Sequence, residues 1–269
     1  MIKSIKTIMR QDREPYRVPR RVQDVIPIQC VWPDGIFKVG IKFSKTYRFT
    51  DINYKVASRE DKETMFLAYS ELLNGLDSAA TTKLTICNRR QSQADFEQSV
   101  LMAMRGDGLD KYRQEYNQML IDKATGANGI IQEKLVTVTV YKRDIEDARA
   151  YFTRIGADLT ARFAALGSKC VELDAADRLR ILHDFYRAGD EGSFHFDMAD
   201  MARKGHDFKD YICPDGIEKH SDYLKLGDRY CRVLFLKDYA NYIQDEIVAD
   251  LTDLNRNMML SIDILSVPT

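Results

Sequence analysis

Two adjoining patterns in the middle of the chain constrain its fold more than any other feature. Leu135 to Tyr141 reads LVTVTVY, and β-branched side chains, stiff at χ1, favour pleated backbone. Directly after it, Ile145, Ala148, Phe152, Ile155, Leu159, Phe163 and Leu166 recur in steps of three and four. That spacing lays one apolar stripe along a helix, and the stripe must be buried against a sheet. Asp144 is placed to cap the helix and Gly167 to stop it.

Other segments extend the same alternation. Ile26 to Trp32 and Ile36 to Phe43 predict strands joined in a hairpin by Pro33-Asp34-Gly35, which combines a fixed φ with a position tolerant of positive φ. Ser58 and Asp61 form a capping-box signal, Met65, Tyr69, Leu72 and Leu73 share one helical face, and Gly75 ends the run. Lys83 to Cys87 predicts a strand, and Leu109, Tyr112, Tyr116, Met119 and Leu120 mark a helix. A short strand follows at Cys170 to Leu173, then a helix capped by Asp174 and carrying Leu179, Leu182 and Tyr186.

From Arg187 to Ser221 the periodicity fails, and residues 187–221 are expected to form an irregular insertion, an interface loop or a sub-boundary. Beyond it lie strands at Tyr223 to Leu226 and Tyr230 to Leu236, a helix through Ile243, Ile247, Leu251 and Leu254, and a strand from Met258 to Leu265. GIFKVGIKFSKTYRFTDINY is faintly echoed in DYLKLGDRYCRVLFLKDYANY, which two converged hairpins explain as well as a duplication does. The expected class is α+β (mixed α/β), a sheet built from hairpins and crossover strands with helices packed on one face.

A chain of 269 residues, 45% hydrophobic, can fill the core of one large or two small domains. Its 40 basic and 41 acidic side chains leave a charge of -1, so no global field attracts nucleic acid or acidic membrane. Any such partner must use a local patch. One stands in residues 1–22, where Lys3, Lys6, Arg10, Arg13, Arg17, Arg20 and Arg21 face only Asp12 and Glu14, with Ile2, Ile5, Ile8 and Met9 at near-helical spacing. This basic arm reads as a solvated tail or as a membrane-surface or partner-docking helix, and Pro15 and Pro19 keep it from continuing into the body at 23–269.

No window approaches the roughly 18 uninterrupted apolar residues that span a bilayer, and the start lacks the apolar block of a signal peptide. Five scattered cysteines, Cys30, Cys87, Cys170, Cys213 and Cys231, fit neither a disulfide framework nor a zinc site. A soluble protein of the reducing cytoplasm is expected.

Chemical signatures are sparse. A P-loop needs G-x-x-x-x-G-K-[ST] so that backbone amides cradle phosphates. The nearest string, Leu166-Gly167-Ser168-Lys169, lacks the upstream glycine and follows a helix, so it reads as a helix stop and no ATP hydrolysis by this chain alone is expected. His183-Asp184 and His206-Asp207, with His195, Asp197 and Asp200 between them, are groups that could hold a divalent metal for phosphoester hydrolysis. Their spacing matches no metal motif, and His183 beside Leu182 on an amphipathic helix is more commonly a core or interface histidine.

No Ser or Cys sits in a nucleophile elbow, and Cys87 and Cys170 read as strand core. Tyr47-Arg48-Phe49 and Tyr141-Lys142-Arg143 could stack on single-stranded nucleic acid, although a half-exposed strand gives the same pattern. Asn88-Arg89-Arg90 reads as a solvated strand exit. No catalytic, cofactor or metal residue is assigned.

Val22 to Leu76 (VQDVIPIQCVWPDGIFKVGIKFSKTYRFTDINYKVASREDKETMFLAYSELLNGL) resembles the opening of the conjugative-transfer ATPases of type IV secretion systems, in the form carried by integrative elements of Gram-positive bacteria. The resemblance continues through Leu135 to Tyr186 and runs collinearly to about the last residue, on patterned segments without a catalytic signature. Those proteins pair an N-terminal α/β domain with a C-terminal P-loop motor, and the part resembled is the first. The resemblance implies a non-catalytic docking module, peripheral to the cytoplasmic face of the membrane, that anchors the motor to inner-membrane components of the transfer channel. It would also contact its own motor domain and neighbouring subunits. ATP and magnesium would belong to the C-terminal ATPase domain, so no cofactor is expected here. The alternatives are a metal-dependent phosphohydrolase using His183, Asp184, His206 and Asp207, and a single-strand binder using Arg48 and Arg143.

Overall fold

Leu135 and Val136 are neighbours on one strand and both are buried. Successive side chains of a strand point to opposite faces, so the sheet that holds them is covered on both. In the computed structural model, which describes residues 19–52, 54, 56–90, 101–126, 130–238, 242 and 245–265, the main sheet is antiparallel. The first half of the chain contributes β1 (Cys30–Val31), β2 (Phe37–Val39), β3 (Lys42–Phe49), α1 (Arg59–Asn74), β4 (Ala80–Arg90), α2 (Asp110–Gly126) and β5 (Ile130–Tyr141). Then come α3 (Ile145–Ala165), β6 (Cys170–Glu172), α4 (Ala175–Tyr186), α5 (Met198–Lys204), β7 (Ile217–Lys219), β8 (Leu224–Leu226), β9 (Arg229–Cys231), α6 (Asp245–Thr252) and β10 (Met258–Ile264). The main sheet runs β1-β2-β3-β5-β4-β10 with β6 also paired to β3, and β7-β8-β9 form a small second sheet. The protein is of the α+β class.

Register sorts the side chains. Val140 and Val136 of β5 face Phe43 and Tyr47 of β3 across the ladder. On this face α3 buries Ala148, Tyr151, Phe152, Leu159 and Phe163, and α1 adds Leu72. Each large apolar side chain removed from water contributes about 1.5–3 kcal/mol. The opposite face carries Cys87 and Leu135, packed with Leu173 and with Ile181 of α4. Helices therefore cover both faces, which corrects the one-face expectation.

Caps fall where local chemistry asks for them. Ser58, Asp144 and Asp174 each accept the backbone N–H three residues on, from Asp61, Asp147 and Asp177. The Pro33-Asp34-Gly35 hairpin forms as expected, pairing Cys30 with Lys38 and Val31 with Phe37. Gly35 has φ +77, and a Cβ there would stand 2.0 Å from the Leu173 carbonyl oxygen. Only glycine meets both demands.

Several elements differ from expectation. Ile36 to Phe43 is two strands, because the chain turns at Gly40 and Ile41, and the second strand continues to Phe49. Its polar residues masked it. Residues 187–221 are irregular only in part: they hold α5, 3-10 turns at Glu191–Ser193 and Phe208–Tyr211, and β7. Phe194, Phe208, Ile212 and Cys213 pack there with Ile26, Ile28, Phe37 and Leu179 in a second core. Their spacing has no period because Phe194 reaches the core from one turn and Phe208, Ile212 and Cys213 from another.

Tyr230 to Leu236 is a strand only as far as Cys231, and the expected end of the last strand, Leu265, lies just past β10. Of the basic arm, Met1 to Val18 lie outside the described residues, as does Ile243.

Candidate docking surface

The His-Asp pairs serve the fold. His183 is buried on α4, its Nδ1 3.2 Å from Asp184 Oδ1, and its ring packs against Phe194. Asp184 in turn lies 3.8 Å from the Arg89 guanidinium of β4. Asp207 caps the Phe208–Tyr211 turn, Asp197 caps α5, and Asp200 pairs with Arg203 and Lys204. His206 is exposed beside Asp210 at 3.7 Å, and the His195 ring meets the Ser193 carbonyl at 3.1 Å. Among the described residues, no three His, Cys, Asp or Glu side chains gather as a metal site.

Ser193, His183 and Asp184 stand in the order of an acyl-transfer triad. The Ser193 hydroxyl, however, donates to the Asp190 carbonyl at 2.9 Å, and its contact with His183 Nε2 is the longer one, 3.4 Å.

The nucleic-acid reading loses two of its three rings, while Tyr141 stays 51% exposed. Tyr47 is fully buried with its hydroxyl donating to the Phe152 carbonyl at 3.3 Å, and Phe49 stacks on Phe163 at 4.8 Å inside the core. Arg48 pairs with Glu133 at 3.3 Å, while Arg143 is exposed beside Asp144. Asn88 is no solvated exit: it is buried and donates to the Thr252 carbonyl at 2.6 Å, tying the end of α6 to β4. Ser168 donates to the Thr50 carbonyl at 2.6 Å, so the Leu166 to Lys169 string closes α3 as a helix stop.

The surface is informative where it is apolar. On α2, Tyr112, Tyr116 and Met119 recur at steps of four and three and are 67, 44 and 43% exposed. This is the stripe that sequence pattern assigns to a core. Instead the helix is braced from its other side: Asn117, buried, donates to the Met102 carbonyl and accepts from the Met102 N–H, both at 2.9 Å. Arg113 is clamped by Asp107 and Asp110, and the paired guanidinium holds the Asp107 carboxyl well down, to about 2. Leu109 and Met102 add exposed apolar area beside the stripe.

No protein-family model and no curated protein matches the chain.

A second apolar area lies on the outer side of α1. Tyr54, Arg59, Lys62, Glu63, Phe66 and Leu67 line a shallow depression of about 430 Å³, with the Lys62 ammonium 5.5 Å from the Tyr54 ring centre. Phe66 and Leu67 lie off the inward face that carries Leu72, so the helix has more apolar residues than one face can bury. That surplus is visible in the string MFLAY before any coordinates. Contiguous exposed apolar area of this kind marks interaction surfaces. No described helix is long and apolar enough to cross a membrane.

Proposed function

We propose that the chain is a non-catalytic docking and assembly module of a type IV secretion (conjugative DNA transfer) ATPase, binding inner-membrane components of the transfer channel from the cytoplasmic side. The observation that carries the reading is the uncovered Tyr112, Tyr116 and Met119 stripe on a helix that Asn117 and Arg113 tie to the segment before it. Amphipathic tyrosine and adaptable methionine are the side chains that interfaces favour over the rest of a surface. The resemblance of Val22 to Leu76 and Leu135 to Tyr186 to the N-terminal domain of such ATPases supplies the partner.

In this role the chain does no chemistry of its own. Co-expression with the inner-membrane components of a conjugative channel tests it. Unaltered protein should co-purify with them, and Tyr112→Ser/Tyr116→Ser/Met119→Ser should lose at least about tenfold in affinity, a modest fraction of what buried hot-spot residues contribute, with an unchanged melting temperature. Failure of the unaltered protein to associate, or equal capture of the triple variant, would overturn the proposal.

A further inference from the structure

Beyond that reading, the chain carries two unfinished strand edges that match each other. β2 turns at Gly40 (φ +59) into β3, and β8 turns at Gly227 (φ +55) into β9. With those glycines superposed in sequence, Lys42, Phe43, Tyr47 and Phe49 of β3 correspond to Arg229, Tyr230, Leu234 and Leu236. β3 is bonded to β5 from Lys42 to Phe49. Its counterpart stops pairing at Cys231, after which Val233, Leu234, Phe235 and Leu236 are 69, 82, 81 and 56% exposed. Four consecutive large apolar residues in water, in a sequence of strand propensity, form a strand that lacks a neighbour.

The complementary edge is β10. It pairs with β4 on one side, and among the described residues no strand lies along the other. Its sequence MMLSIDI has neither proline nor lysine to block addition. β10 has 7 residues, long enough to pair the whole of Arg232 to Leu236. Charge agrees in part: Arg229 and Lys237 flank the segment, while Glu246, Asp250 and Asp253 on and after α6 are exposed with Arg256 near them in sequence. Arg232 is already paired with Asp222, and Asp263 with Lys83. Ile247, Leu251 and Leu254 of α6 are also exposed and offer apolar cover to an incoming strand.

We propose that a second copy of this chain is the occupant: Arg232 to Leu236 of each copy adds as a strand to the outer edge of β10 of the other. One chain holds both halves of the match, and a reciprocal exchange about a two-fold axis covers the β10 edge of both copies, which closes the assembly at a dimer. The surface is separate from the α2 stripe.

Sedimentation equilibrium of the full chain, combined with amide hydrogen exchange at high and low concentration, tests this. The expected result is a dimer in which the 232–236 amides exchange at least about tenfold more slowly than in the diluted monomer. Leu234→Pro, placed where the monomer has no regular structure, should give a monomer that melts as the unaltered protein does. Phe235→Lys should act likewise. A monomer at every concentration, a dimer that survives Leu234→Pro, equal protection in monomer and dimer, or an open series of larger species would each overturn the proposal.

Discussion

The Arg178 guanidinium lies 3.8 Å from the centre of the Phe37 ring and donates to the carbonyls of Gly35 and Ser44 at 2.7 and 2.8 Å. It thereby ties α4 to the turn and to β3. Burial pulls its pKa down to about 9, so it remains charged at neutral pH without a carboxylate. A compact ammonium cannot serve both carbonyls and lie flat on the ring. Arg178→Lys should therefore lower stability by about 2–4 kcal/mol, read as a lower urea midpoint with an unchanged slope.

Gly156 is inside α3, where alanine would ordinarily stabilise a helix by about 1 kcal/mol. Here the added Cβ would stand 2.3 Å from Glu172 Oε1 and 3.2 Å from Tyr47 Cε1. The carboxylate could swing away only by leaving Lys45, whose side chain is buried beneath it. Gly156→Ala is thus expected to cost about 1–3 kcal/mol. The cost should shrink in a Glu172→Ala background, and a double-mutant cycle by chemical denaturation measures the difference.

Asp77 accepts the Ala79 N–H at 2.8 Å and the Tyr151 hydroxyl at 2.9 Å. The backbone donor first, and the Tyr151 hydroxyl after it, hold its pKa below the usual 3.8. With the folded value depressed, the contribution is complete above the unfolded pKa and is lost as pH falls through the folded one. Asp77→Asn should be less stable than the unaltered protein by about 0.5–1 kcal/mol at neutral pH, a figure already reduced for solvent screening. Thermal midpoints of the two should converge as pH is lowered through the carboxylate range.

Thiol reactivity should divide the cysteines by burial. Cys30 is exposed and Cys231 intermediate, while burial pushes the Cys87, Cys170 and Cys213 thiols up to about 12, 11 and 11. Since the thiolate is the reactive form, a colorimetric disulfide reagent at mildly alkaline pH should titrate Cys30 fastest and Cys231 more slowly. The other three should respond only after denaturation. Rapid labelling of Cys87 in native protein would show that the sheet core opens.

Local pattern was sufficient for α3, whose seven-residue stripe from Ile145 to Leu166 needs no partner to be recognised, and for the caps at Ser58, Asp144 and Asp174. Hydrogen bonds between residues three apart and the 3.6-residue period are properties of a short window, and so they survive in the string of letters. Strand limits were less legible. Lys45 occupies an inward position on β3 and breaks the apolar alternation, a choice that makes sense only once Glu172 arrives from β6.

What tertiary structure alone decided is which apolar surface finds cover. The Tyr112, Tyr116 and Met119 stripe of α2 has the same letters and spacing as a core face, yet it stays in water, whereas the aperiodic Phe194, Phe208 and Ile212 are buried against α4. Burial depends on what lies opposite in space, and residues far apart in sequence set that through the order of strands in the sheet. The sequence by itself determined the class of fold, the long helix and its capping; the assembled sheet determined which faces were left for other molecules.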